Sequence, residues 1–175
     1  RTIVINGVSK TYAMTGWRIG YAAGPKEVMT ALGRLQDQST SNPTSISQRA
    51  SIAALRGDQT CVTQMVAEFE ARRTLITTRA SRVFGVEIRP PVGAFYLFVD
   101  VSRFFGSKYD GKEIRTASQF ADFLLEEAKV AVVPGEGFGA PQYIRFSYAT
   151  SRNAITNGLD RIEEAVKKLG KDAGK

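Results

Sequence analysis

Three residues stand out for the chemistry that their types and settings could carry. Lys10 follows a run of β-branched residues at positions 2–5, through a turn of small residues that includes Gly7 and Ser9. An amine held at a strand end beside small side chains leaves room for a ligand against the backbone. Burial of an amine lowers its pKa, which is what Schiff-base chemistry needs. Eight residues on, Arg18 lies in an apolar run with Gly16 and Gly20 on either side, a setting suited to a guanidinium that grips a phosphate. Arg145 alternates with Ile144 and Phe146, so on a strand it leaves the face its neighbours bury and reaches a cleft or solvent. Each has a plainer account: a surface lysine, an arginine in a structural ion pair, an exposed strand arginine. Spacing alone favours those accounts. The single thiol, Cys61, has no basic residue immediately beside it and reads as buried or inert.

Composition narrows the field. The chain has 175 residues, 43% of them hydrophobic and 23% charged, with no histidine and one cysteine. Ser-His-Asp and Cys-His catalysis, imidazole metal ligation, internal disulfides and Cys-rich zinc sites are thereby excluded, and no metal is expected. A reducing, cytoplasmic setting fits. The net charge of +7 divides as +4 over residues 1–75 and +3 over the rest. It is a dispersed basic surface without the aromatic interleaving of a nucleic-acid binder, and it is compatible with an anionic small molecule. Its one local cluster is Lys167, Lys168, Lys171 and Lys175 at the end of the last helix. No stretch has the length and apolarity of a membrane span and no leader is read.

The elements that must position these residues can be placed by pattern. Strands are expected at residues 2–5, 17–23, 95–101, 130–133 and 143–148. Helices are expected after Pro25, with Val28, Leu32 and Leu35 on one face, over 46–55, and over about 61–84, with Val62, Val66, Phe69, Ile76 and Val83 recurring. Thr116 through Gln119 resembles a capping box that opens a helix carrying Phe120, Phe123, Leu124 and Ala128. Ser151 caps a last helix with Ile155, Leu159, Ile162, Val166 and Leu169 on one stripe, ending at Gly170. Residues 104–115 read as a loop and 134–141 as a glycine-rich loop. The pattern gives a mixed α/β part over 1–60, a long bridging helix over 61–84, and an α+β unit over 85–175 that is expected to be the more stable.

Gly7-Val8-Ser9-Lys10-Thr11-Tyr12-Ala13-Met14-Thr15-Gly16-Trp17-Arg18-Ile19-Gly20 resembles the lysine signature of the class-I, fold-type-I aminotransferases that use pyridoxal 5'-phosphate. Landmarks in the same order extend the resemblance over essentially the whole chain. Residues 41–45 look like the loop near that family's dimer interface, and 91–96 like its small-domain strand entry. Residues 134–139 look like its glycine-rich active-site loop, and 143–149 like the strand bearing its substrate arginine. The resemblance implies that Lys10 forms the internal aldimine and then moves protons as acid and base. It implies Arg18 on the cofactor phosphate with Ser9 beside it, Arg145 on the substrate α-carboxylate, and Phe138 lining the substrate pocket. Phe95, Tyr12 and Asn42 are weaker candidates, each with a cheap packing or turn explanation. Tyr143 and Tyr148 read as packed tyrosines before pocket groups.

It further implies amino-acid and 2-oxo-acid substrates, a homodimer, and neither nucleic acid nor membrane as partner. The expected fold is the C-terminal remnant of the large cofactor-binding domain, the bridging helix and a complete small domain. Residues 14–17 and 41–45 lean towards the bacterial aspartate aminotransferases. Two departures stand beside this. Members of the family are longer, and their ring-stacking aromatic, their pyridine-nitrogen aspartate and their tyrosine on the ring hydroxyl cannot be located here. A chain opening inside a strand looks cut, and an isolated fragment is expected to be inactive. Where part of the family has a distal-carboxylate arginine, this sequence reads Gln36-Asp37-Gln38. A β-eliminating C–S lyase uses the same lysine and arginines, and a non-catalytic interaction or oligomerisation module is the reading from a different class.

Overall fold

The computed structural model describes residues 1–169, so Gly170, Lys171 and Lys175 lie outside the described residues. It divides into two units, Arg1–Val66 and the chain from Ala67 onward. The first unit opens on an antiparallel pair, β1 (Val4–Gly7) and β2 (Gly20–Ala23), in the register Val4 opposite Ala23 to Gly7 opposite Gly20. The expected strand over 17–23 is shorter, because Thr15–Trp17 forms a 3₁₀ turn that ends on Arg18 in the left-handed region. Helix α1 (Lys26–Ser39) follows Pro25, whose fixed φ suits a helix start. Helix α2 is Ser45–Arg56. Between them Ser41 takes φ +58° and donates its N–H to the Gln36 carbonyl, a left-handed helix stop.

Val28, Leu32 and Leu35 share a face of α1 as expected, yet all three are exposed, Leu35 at 67%. Ile5 at 82% and Ile46 at 70% are similar. Within this unit the buried side chains are Val8, Met14, Ser47 and Ser51, so it has amphipathic faces with little packed on them.

The boundary between the units falls inside α3 (Thr60–Phe84). Its buried positions are Ile76, Ala80 and Phe84, with Phe69, Leu75 and Val83 half-buried against the same core. Val66, expected on the stripe, is exposed. Cys61 is exposed too, which corrects the expectation of a buried thiol: it sits in the first turn of α3, beside the Asp58 carbonyl.

The second unit is built on a three-stranded antiparallel sheet, β3 (Tyr96–Asp100), β7 (Tyr143–Ser147) and β6 (Val133–Pro134), with β7 in the centre. Pairing over 130–133 is narrower than expected, and Pro134 at its end is tolerated because β6 is an edge. Residues 104–115 are not a plain loop: β4 (Lys108–Tyr109) and β5 (Lys112–Glu113) form a small hairpin, with Gly111 at φ +73° in its turn. The alternation of period two puts Leu97, Val99, Ile144 and Phe146 on the buried face. Phe84, Phe120, Phe123 and Leu124 pack in the same core. Phe120 and Phe123 belong to α4 (Ala117–Phe123), which continues as a π-helical turn over Leu124–Ala128. The last helix, α5 (Arg152–Lys167), adds Ile155, Leu159 and Ile162. Both expected caps form: Thr116 Oγ1 accepts from Gln119 N at 3.2 Å and Ser151 Oγ from Ala154 N at 3.1 Å. The box at Thr116 closes one residue early, since Gln119 Oε1 accepts from Arg115 N rather than from Thr116 N.

Tyr148 fills this core at 2% exposure, and its hydroxyl donates to the Ala94 carbonyl at 3.0 Å, so it is a satisfied, packed tyrosine. Burial pushes its pKa up. Tyr148→Phe should therefore cost about 1 kcal/mol, read as a fall in the denaturant midpoint at unchanged slope.

Glu68 ties α3 to the start of α5: it accepts from Arg152 Nε at 3.2 Å and from Arg72 Nε at 2.8 Å. The Arg152 hydrogen bond first, then Arg72, hold its pKa down at about 2, against an ordinary 4.5. The contribution of this tether is complete above pH 4.5 and is lost as the pH falls through about 2. A carboxyl-carbon NMR titration should find the Glu68 midpoint near 2, and Arg152→Gln should raise it.

Candidate active site

The first constellation lies on the connection between β1 and β2, residues 8–19. Because Gly7 pairs with Gly20, this connection carries Ser9, Lys10 and Arg18 to the same end of the ladder. Both glycines are needed for close approach: a Cβ on Gly7 would stand 3.3 Å from the Ile19 carbonyl oxygen, and one on Gly20 would stand 3.2 Å from that of Asn6. Val8 and Met14 are the buried anchors of the connection. Two turns shape it, Tyr12 N donating to Val8 O at 3.2 Å and Ala13 N to Lys10 O at 3.2 Å. From α2, Ser47 Oγ donates to the Trp17 carbonyl at 2.7 Å and props the segment just before Arg18.

Ala13 and Arg18 both have positive φ, 54° and 50°. A non-glycine residue held there costs roughly 1–2 kcal/mol. Arg18 Nη1 donates back to the Thr15 carbonyl at 2.9 Å, which fixes its fork over the turn. Lys10 is exposed and Ser9 half-buried. Tyr12 donates to Gln59 Oε1 and Asn42 to the Pro43 carbonyl.

The second constellation lies on the exposed face of the three-stranded sheet. Arg145, on β7, stands opposite Phe98 of β3 and Val133 of β6. Its Cζ lies 4.3 Å from the Tyr96 ring centroid and 4.6 Å from that of Phe138. Phe138 closes a 3₁₀ turn over Gly135–Phe138 and is 51% exposed. That turn is fastened twice: Ala140 N donates to Gly135 O at 3.0 Å, and Glu136 Oε1 accepts from the N–H and hydroxyl of Ser118 at the start of α4, each at 3.2 Å. Phe98 meets Phe138 edge-on at 6.1 Å and stacks on Tyr143 at 4.9 Å. Phe95 packs instead against Phe69 and Tyr96. Tyr96 was not foreseen beside Arg145. Strand alternation from the Gly-Ala-Phe-Tyr entry places it on one face, but only the β3–β7 register identifies which arginine shares that face.

The model of the family described as aminotransferase class I and II matches residues 1–162. The chain belongs to that family. Among its relatives, the aspartate aminotransferase of Rhizobium meliloti (strain 1021) is 46% identical over 170 residues, which are 97% of this chain and 42% of that protein. The aspartate aminotransferase of Geobacillus stearothermophilus is 50% identical over 162 residues, 93% of this chain and 40% of the relative. The crystal structure of the Rhizobium meliloti aspartate aminotransferase superposes with a TM-score of 0.92 at 46% identity, over 97% of this chain and 43% of that one. The chain thus spans less than half the length of the aminotransferases it matches. Among the described residues no helix is long and apolar enough to cross a membrane, and no group of His, Cys, Asp and Glu could hold a metal ion.

Proposed function

We propose that residues 1–175 belong to a pyridoxal-phosphate-dependent aminotransferase acting on an amino acid and a 2-oxo acid, with aspartate and 2-oxoglutarate as the pair. They carry its cofactor lysine, Lys10, its phosphate arginine, Arg18, and its carboxylate arginine, Arg145. The observation that carries the reading is the connection of residues 8–19, which delivers an amine, a hydroxyl and a guanidinium to one ladder end. This donor set fits the cofactor: an amine for its aldehyde carbon, a fork and a hydroxyl for its phosphate, and open space beside Gly16. Bound there, the cofactor would supply an electron sink for the pair left when an amino acid loses its α-proton.

The chain's own residues do the rest. Arg18 binds the phosphate dianion and Ser9 adds a hydroxyl. Lys10 Nζ would hold the cofactor as nucleophile and, once displaced by the substrate amine, would serve as base and then acid for the proton lost from the substrate Cα. Arg145 takes the α-carboxylate, and Phe138 covers the approach to it. The same reading assigns residues 1–60 to part of the large domain, 61–84 to the bridging helix and 85–175 to the small domain, in a cytoplasmic homodimer.

The test is borohydride trapping of pyridoxal phosphate on the 175-residue chain, followed by peptide mapping. Label should concentrate at Lys10 and fall about ten-fold in Arg18→Gln, since one charge-assisted phosphate contact is worth about 1.5–3 kcal/mol. Label confined to other lysines would overturn the assignment.

A further inference from the structure

We propose that Tyr96 and Phe138 are positioning residues for Arg145, holding its guanidinium flat between two rings so that its in-plane N–H edge is what a carboxylate meets. The inference deepens the assignment of Arg145 made above and rests on it. Both ring centroids lie within 5 Å of the same carbon, at 4.3 and 4.6 Å. The rings come from different elements, Tyr96 from β3 and Phe138 from the turn over Gly135–Phe138.

The edge is free. Among the described residues no carboxylate or carbonyl accepts from the Arg145 side chain, although two rings lie against it. All five guanidinium donors lie in one plane. Rings on the faces exclude water without consuming a donor, and they strengthen what the edge then binds. A planar carboxylate, approached edge to edge, is the anion that matches the geometry. An ammonium has neither plane nor faces, so lysine would not substitute. The clamp is itself held. Phe98 supports Phe138 edge-on, and the Glu136–Ser118 contacts fasten the turn that carries Phe138. Packing alone accounts poorly for Phe138, which keeps half its surface exposed while covering an arginine.

The experiment is NMR of the arginine Nε–Hε groups in the 175-residue chain, titrated with succinate. In the parent chain the Arg145 Hε resonance should be displaced upfield by ring currents and should move on addition of succinate. Phe138→Leu and Tyr96→Leu should each relax the upfield displacement and weaken succinate about five-fold. Tyr96→Phe, which keeps the ring, should leave both unchanged. Succinate that still perturbs Arg145 with equal affinity in Phe138→Leu and Tyr96→Leu would overturn the clamp alone. Succinate that leaves the Arg145 resonance unmoved in the parent chain would overturn the carboxylate assignment beneath it, and the clamp with it.

Discussion

Lys10→Ala should lower aspartate:2-oxoglutarate turnover by at least about 10³-fold, because under the proposed function one substitution removes both the amine assigned to anchor the cofactor and the group assigned to shuttle the α-proton. The measurement is made in a chimera that joins residues 1–175 behind the preceding portion of the Rhizobium meliloti relative, whose aligned part is 46% identical. Activity should be present with Lys10 and absent from residues 1–175 alone. Added methylamine should restore part of the Lys10→Ala loss, since a free amine can take over the proton transfer but not the anchoring. Turnover undiminished in Lys10→Ala would remove the lysine from the mechanism. A chimera that is silent with Lys10 in place, yet eliminates a thiol from an S-substituted cysteine, would move the reaction from transamination to C–S cleavage.

Gly135→Ala should cost the second unit about 3 kcal/mol, by overpacking at a point that cannot relax. A Cβ there would stand 2.1 Å from the Ala140 carbonyl oxygen and 2.7 Å from that of Tyr143. Both are backbone atoms, one in the turn that holds Phe138 and one at the start of β7. The chain must therefore push the turn off the sheet, which also loosens the ring over Arg145. For a unit of this size the loss should appear as a fall in Tm of roughly 10–20 °C by calorimetry. Gly137→Ala, which meets nothing within 4 Å, is the control that should leave Tm nearly unchanged.

The patterns that proved legible were those in which one face of an element is buried by its own neighbours. The stripe Ile155, Leu159, Ile162 on α5 and the alternation in β3 and β7 are read directly because the second unit supplies both sides of its core. The two caps are local chemistry and are read as easily. The β4–β5 hairpin was missed because two-residue strands leave no alternation to detect. The stripe on α1 is placed correctly on one face, yet its side chains are exposed. Periodicity reports which side chains share a face, and says nothing about whether anything lies against it. At the candidate site, Lys10 and Arg18 are singled out by a long motif and Arg145 by the separate strand landmark over 143–149. Tyr96 is not, because its place beside Arg145 depends on a register set by residues some fifty positions apart.

Arg103 donates from one nitrogen, Nη1, to the carbonyls of Phe84 and Gly85, at 2.7 and 2.9 Å, closing α3. Gly85 has φ +60°, and a Cβ there would stand 1.9 Å from that same nitrogen. A side chain at position 85 would meet the flexible end of Arg103, which can swing aside only by releasing both carbonyls. The glycine is thus what lets one arginine close the helix, and the two positions are coupled through that closure. With or without the arginine, the left-handed backbone favours glycine there, with asparagine the next best tolerated.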